Sequence, residues 1–256
     1  MVLEAPGERP VVLDLGTGLR FWGLDLPCDG SLDAIALVSH LHWDHVQGIP
    51  FFAPINVEGA RLEVYGLATE TGGLGEAIAG FMRPPYFPVT LDVLRGTFDF
   101  RDVAPGDVIR TGGWTIDVGE VPHVGETLGF RVEHGGVSVA YVPDHQQPGC
   151  QATDVDPGVL ALTRGVDLLI HDAQYTDVEF AQKFDWGHCT TDYALEVARQ
   201  AGAKRLALFH HDPSRDDTDL DVLAKRAAAA GARLGLAEVI CAREGMQISL
   251  APVAAQ

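Results

Sequence analysis

The chain of 256 residues carries 18 Lys and Arg against 36 Asp and Glu, a net charge of −18 with a pI near 4.7. A surface of that sign repels a phosphate backbone unless bound metal supplies positive charge, so composition argues against a nucleic-acid wrapper and against transfer RNA as a partner. At 46% hydrophobic and 21% charged residues, it reads as one ordinary globular domain over residues 1–256. No apolar run reaches the roughly 18 residues of a spanning helix, and the start, with Glu4 and Glu8, resembles neither a secretory signal nor an anchor. Cys28, Cys150, Cys189 and Cys241 stand far apart with no C-x-x-C, which fits a reduced, cytoplasmic protein and argues against a zinc ribbon or a thioredoxin-type pair.

In chain order, short β-branched or apolar runs predict strands at Pro10–Asp14, Ile35–Ser39, Leu62–Tyr65, Phe98–Val103, Trp114–Val118, Leu128–Glu133, Val137–Val142, Leu168–Ile170 and Arg205–Phe209. Gly135-Gly136 reads as a tight hairpin turn. Helical spacing predicts helices at Leu74–Met82, Thr191–Ala201 and Leu220–Ala230, the second capped by Thr190 or Thr191 and ended by Gly202. With no linker and no short-period repeat, these elements belong to one mixed α/β core.

The chemistry concentrates in Ser39-His40-Leu41-His42-Trp43-Asp44-His45, directly after the apolar run Ile35–Val38. Residues two apart at a strand's end point to one side, so His40 and His42 can converge on one ion, while the following turn offers Asp44 and His45 to a second. No thiolate is placed to favour a soft ion, and imidazole with carboxylate suits zinc, manganese or iron.

This His-x-His-x-Asp-His motif, with Asp14-Leu15-Gly16-Thr17-Gly18 upstream, resembles the metallo-β-lactamase superfamily of binuclear metal hydrolases. The resemblance spans roughly residues 10–213 and extends to His123, Asp144 and His210, which match the family's later histidine, bridging aspartate and last histidine in order. It implies that His40, His42 and His123 hold one divalent ion, that Asp44, His45 and His210 hold the other, and that Asp144 bridges them. Such ions, about 3.5–4 Å apart, activate a shared water and clamp a substrate oxyanion. Two ions are expected, zinc foremost, with manganese or iron as alternatives. His210, directly after Leu208-Phe209, is preferred to His211 as the last ligand. Asp14 is expected to support the ligands or to bond the amides of its own turn. The implied fold is a four-layer αβ/βα sandwich of two mixed sheets with helices outside and the metal centre at one rim.

Asp167–Ala173, then Gly187-His188-Cys189-Thr190-Thr191 at a helix head, then Phe209-His210-His211, resemble the order found in tRNase Z and related phosphodiesterases. That likeness gives catalytic roles to Asp44, to His188 as proton donor to the leaving oxygen, and to Asp172 as the carboxylate behind it. The family more often has glutamate at the position of Asp172. His171 reads as a structural strand-end histidine, His145 as a neighbour of the metal ligands, and His134 as a solvated residue beside the Gly-Gly turn.

No Gly-Lys pair exists for a phosphate loop, Gly16-Thr17-Gly18 lacks the third glycine of a dinucleotide fingerprint, and Gly136–Ala140 continues as strand where a nucleophile elbow needs a helix. Asp216–Asp219 reads as a solvated helix start. Residues 71–96 form a Gly- and Pro-rich insertion whose Phe81, Tyr86 and Phe87 suit base stacking, a dimer contact or core cover. It lacks the long basic arm of tRNase Z. The reading is therefore a binuclear hydrolase of a phosphodiester, small or cyclic. Its rivals are hydrolysis of a lactone, thioester or lactam at the same centre, a di-iron redox or oxygen-sensing protein, and a non-enzymatic binding module. The di-iron members usually carry glutamate where His42 stands and add a flavin domain.

Overall fold

The computed structural model describes residues 1–251, so positions 252–256 of the expected domain span lie outside the described residues. Two compact units divide the chain, Met1–Ala104 and the part from Pro105 onward. The first contains β1 (Val2–Leu3), β2 (Val11–Leu13), α1 (Gly18–Asp25), β3 (Asp33–Leu37), α2 (Trp43–Val46), β4 (Arg61–Gly66), α3 (Leu74–Phe81) and β5 (Thr97–Asp102). Its sheet runs β1-β2-β3-β4-β5, with β1 antiparallel to β2 and the other pairs parallel.

The register aligns Val12, Ala36, Val64 and Phe100 across four strands. Because side chains alternate along a strand, this row lies on one face, where it meets Leu19 of α1 and Leu74 and Ile78 of α3 in a single apolar cluster. The opposite alternation gives β4 its polar row of Arg61, Glu63 and Tyr65, in which Tyr65 donates to Glu63 at 2.8 Å. Of the expected aromatic insertion, Met82 is buried and Phe81 and Phe87 pack against the same cluster, leaving Tyr86 exposed. Three of the four side chains thus cover the core.

The second unit contains β6 (Val108–Thr111), β7 (Trp114–Glu120), β8 (Leu128–His134), β9 (Val137–Val142), α4 (Pro157–Thr163), β10 (Leu168–Asp172), α5 (Asp177–Phe180), α6 (Thr191–Ala201), β11 (Arg205–Phe209), α7 (Asp217–Leu234) and β12 (Glu238–Cys241). Its sheet runs β12-β11-β10-β9-β8-β7-β6, parallel from β9 to β12 and antiparallel from β6 to β9. Ala140, Leu169, Leu206 and Val239 share a row. They pack with Val159 of α4, Val197 and Ala198 of α6 and Ala227 of α7. The α6 stripe is buried as its spacing predicts, Thr190 accepts from the Tyr193 amide, and Gly202 ends the helix at φ 66°. Truncating one of these large aliphatic side chains to Ala should cost about 2–5 kcal/mol.

The mixed α/β class with two sheets is as expected, and every expected strand and helix has its counterpart. The expectation for His134 needs correction: its ring packs at 4.8 Å on Trp114 of the neighbouring strand rather than standing free in solvent. All four cysteines are thiols outside any disulfide. Among the described residues no helix is long and apolar enough to cross a membrane.

Candidate metal centre

In each unit most of the chemistry-bearing side chains stand at the C-terminal ends of parallel strands, where chains turn out of a sheet and leave a crevice for ligands. In the first unit Asp14 follows β2 and Ser39-His40 follow β3. Asp14 adopts φ 57°, a left-handed conformation uncommon for a residue with a side chain. Its Oδ1 accepts from the Ser39 amide at 2.7 Å, and its Oδ2 accepts from the Ser39 hydroxyl at 2.9 Å and from His45 Nδ1 at 2.7 Å. The Ser39 hydroxyl, whose O–H donates to Asp14, accepts from His40 Nδ1 at 3.0 Å. Both rings are thereby set with Nε2 as the lone-pair nitrogen, the arrangement by which a carboxylate orients metal-ligating histidines. Rings of His40 and His42 lie 4.4 Å apart, those of His40 and His45 4.2 Å apart, and Asp44 Oδ2 is 3.4 Å from His45 Nε2. Gly16 lets the Asp14 turn approach this loop: a Cβ there would overlap the Asp44 carbonyl oxygen, and the Leu15 amide donates to the His45 carbonyl at 2.7 Å.

In the second unit Asp144 follows β9, Asp172 ends β10 and His210 follows β11. His123, in the turn after β7, donates from Nδ1 to the Gly187 carbonyl at 2.7 Å, which directs Nε2 toward Asp144. His123 Nε2 is 3.6 Å from Asp144 Oδ2, and His210 Nε2 is 3.6 Å from Asp144 Oδ1. These separations are too long for hydrogen bonds. They match the roughly 3.4 Å between two ligands held at about 2.1 Å on one tetrahedral ion. With one histidine facing each oxygen of a buried carboxylate, the donor set fits a bridge between two divalent ions. His210, at φ 55°, leaves the strand direction, so it and not His211 faces Asp144. The Gln174 amide lies 2.8 Å from His210 Nδ1; a ligand role for Nε2 selects the amide orientation in which the oxygen accepts Nδ1–H.

His188 borders this set. Its Nδ1 is 3.1 Å from Asp172 Oδ2 and 4.0 Å from Asp144 Oδ2, and its ring stacks on His210 at 4.9 Å. Asp172 is fully buried and receives two further hydrogen bonds, from the amides of His145 and Gln174. The shorter carboxylate therefore reaches the histidine directly. His171 is buried and donates to the Asp172 carbonyl at 2.7 Å, and its Nε2 accepts from His145 Nδ1 at 3.0 Å. Burial, and then the charge of neighbouring histidines, pushes His145 well below its ordinary pKa, and burial also lowers His171, so both serve as neutral spacers. Burial likewise raises the Cys189 thiol, which donates to the Asp172 carbonyl at 3.1 Å.

Residue type alone did not single out Gln146 and Gln147, yet they hold three loops together. Gln146 donates to the Phe184 carbonyl at 2.7 Å and accepts from the Gly187 amide at 2.8 Å. Gln147 accepts from both the amide and the hydroxyl of Thr190 at 3.0 Å. Gly187 is required at φ 95°, and a Cβ there would collide with the His123 ring.

A family model described as the beta-lactamase superfamily domain matches residues 24–211. A Brevibacillus brevis protein named ribonuclease Z is 41% identical over 254 residues, covering 82% of this chain and 78% of its own. Another of that name, from Porphyromonas gingivalis, is 33% identical over 221 residues, covering 68% and 70%. Human tRNase Z, short form, superposes with a TM-score of 0.64 at 22% identity, covering 97% of this chain and 90% of that one. These relatives overturn the expectation, drawn from charge, that transfer RNA is an unsuitable partner. A sum over the whole chain does not fix the field at a site, where divalent ions become the largest local charges. Family match, relatives and fold agree: the chain belongs to the metallo-β-lactamase superfamily, in its tRNase Z-like branch, and is a metal-dependent hydrolase.

Proposed function

We propose that the protein is a binuclear phosphodiesterase acting on RNA, with His40, His42 and His123 holding one zinc ion, Asp44, His45 and His210 the other, and Asp144 between them. The reading is supported by the ordered motifs and by relatives named ribonuclease Z. The observation that carries it is the His188–Asp172 pair beside Asp144. When bound, the ions supply a nucleophilic water at neutral pH and offset charge on the phosphoryl oxygens. Asp172 fixes the His188 ring through Nδ1, so that Nε2 can give a proton to the departing oxygen. Asp14 and Ser39 orient His45 and His40, and Gly187 orients His123. A thioester, whose thiolate is a weak base and leaves readily, needs no such donor.

The test is a screen of zinc- and manganese-loaded protein against an RNA oligonucleotide, a transfer RNA transcript, cyclic nucleotides, a lactone and a thioester. RNA cleavage is expected, with the cyclic nucleotides reading the narrower possibility of a small cyclic substrate. Hydrolysis of the carbonyl compounds with every phosphodiester left intact overturns the proposal.

A further inference from the structure

Between α5 and His188 the chain exposes two aromatic side chains, Phe184 and Trp186, each about 60% accessible. Large exposed rings usually ride on mobile loops, but this segment is fastened at several points. Gln146 grips the Phe184 carbonyl and the Gly187 amide, and Gly187 accepts from His123. Lys183 donates to Asp212 at 2.6 Å, and its ammonium stands 5.4 Å from the centre of the Trp186 ring and 4.9 Å from that of Tyr175. The indole is therefore oriented by a cation near its ring while most of its surface stays open.

We propose that Trp186, with Phe184 beside it, forms a stacking platform for a nucleobase next to the scissile phosphodiester. The inference rests on the phosphodiesterase reading and adds a base-binding subsite to it. Only Gly187 separates Trp186 from His188, so their Cα atoms lie within about 7.6 Å, the scale of a single nucleotide. The charge of Lys183 is taken up by Asp212, and Asp185 stands between Phe184 and Trp186 in the sequence. The segment thus suits the flat, uncharged base rather than its phosphate. Stacking of this kind tolerates any base, because every base has a π face.

Zinc-loaded protein and its Trp186→Ala and Trp186→Phe variants are compared on adenylyl-adenosine and on the abasic dinucleotide with the same phosphodiester. The ratio of kcat/KM between the two substrates should fall about 10-fold or more in Trp186→Ala, through KM of the base-bearing one, and recover in Trp186→Phe. An unaltered ratio overturns the platform while leaving the hydrolase reading intact. Equal losses on both substrates also overturn it, because the ring would then only be holding the His188 loop. If the parent protein cleaves neither dinucleotide, binding decides the platform by itself. Calorimetric affinity for adenosine 5′-monophosphate should drop about 10-fold in Trp186→Ala, and equal affinity overturns the proposal. Dissociation of the variant on a sizing column would assign the rings to a contact between copies and overturn it as well.

Discussion

Asp172 holds His188 by a hydrogen bond of 3.1 Å to Nδ1, and its carboxylate is itself locked by the amides of His145 and Gln174, each at 3.0 Å. A carboxylate fixed at three points cannot rotate, so the imidazole tautomer and orientation are set before substrate arrives. Asp172→Asn and His188→Ala should each lower kcat by about 10²–10⁴-fold. The double variant should be little worse than either, because the two residues act as a unit. Metal analysis must find the ions retained; a His188→Ala protein stripped of metal would make His188 a ligand instead.

From the separate histidine partners of the two Asp144 oxygens we predict two ions per chain. Asp144→Ala should lose the bridge, and metal analysis should give fewer than two equivalents together with loss of hydrolysis. Asp14→Ala acts one step further out, through His45 and Ser39, and should weaken metal affinity by about 10–100-fold. Two equivalents in the Asp144→Ala protein would refute the bridging role.

Gly187→Ala should damage the site without touching any charged group. The new methyl meets the His123 ring, and the φ of 95° is unfavourable for alanine. Lower metal affinity and a lower melting temperature are expected together. Gln146→Ala should lower the melting temperature, leaving the ligands themselves in place. Parent-like metal binding by Gly187→Ala would show that His123 is not held from that side.

Away from the site, Asp167 accepts from Lys204 Nζ at 2.6 Å and from the Ser138 amide at 2.8 Å. Burial pushes its carboxyl upward, but these hydrogen bonds outweigh it and hold the pKa below the ordinary value. The ionised form is therefore favoured by folding. Its stabilisation is complete above the unfolded pKa near 3.9 and is lost as pH falls through the lower folded value. Asp167→Asn should cost about 1–2 kcal/mol at pH 7. The gap to the parent should narrow in denaturant titrations at pH 3, and a constant gap would contradict the assignment.

β9 is legible in the sequence because its largely apolar run is bounded by Gly136 and Pro143, β11 because Leu206–Phe209 is continuously apolar, and α6 because its stripe, cap and Gly202 agree. β6 escapes notice since only Ile109 in it is buried. α1 buries just Leu19 and Gly23, and Thr17 supplies no cap hydrogen bond. By contrast Asp156-Pro157 is a readable start for α4, with Asp156 accepting from Gly158 and Val159. At the site, histidines and carboxylates declare themselves because few other residues can donate to a divalent ion. Ser39, Gln146, Gln147 and Gln174 do not, because neutral hydroxyls and amides serve anywhere in a protein. The packing of His134 is not legible in the sequence because its partner Trp114 comes from another strand.

The run Asp144-His145-Gln146-Gln147 assigns each consecutive side chain to a different neighbour: Asp144 to His123 and His210, His145 to His171, Gln146 to Phe184 and Gly187, Gln147 to Thr190. Such a run works like the teeth of a key, in which spacing carries as much information as identity. Inserting or deleting one residue would hand every tooth to the wrong ward, disabling the proposed metal bridge, the proposed proton donor and the loop clamp at a stroke even with all four residue types kept. Length changes should instead be tolerated a few positions on, around Gly149 to Asp154, where Cys150, Gln151, Thr153 and Asp154 are exposed before α4 begins.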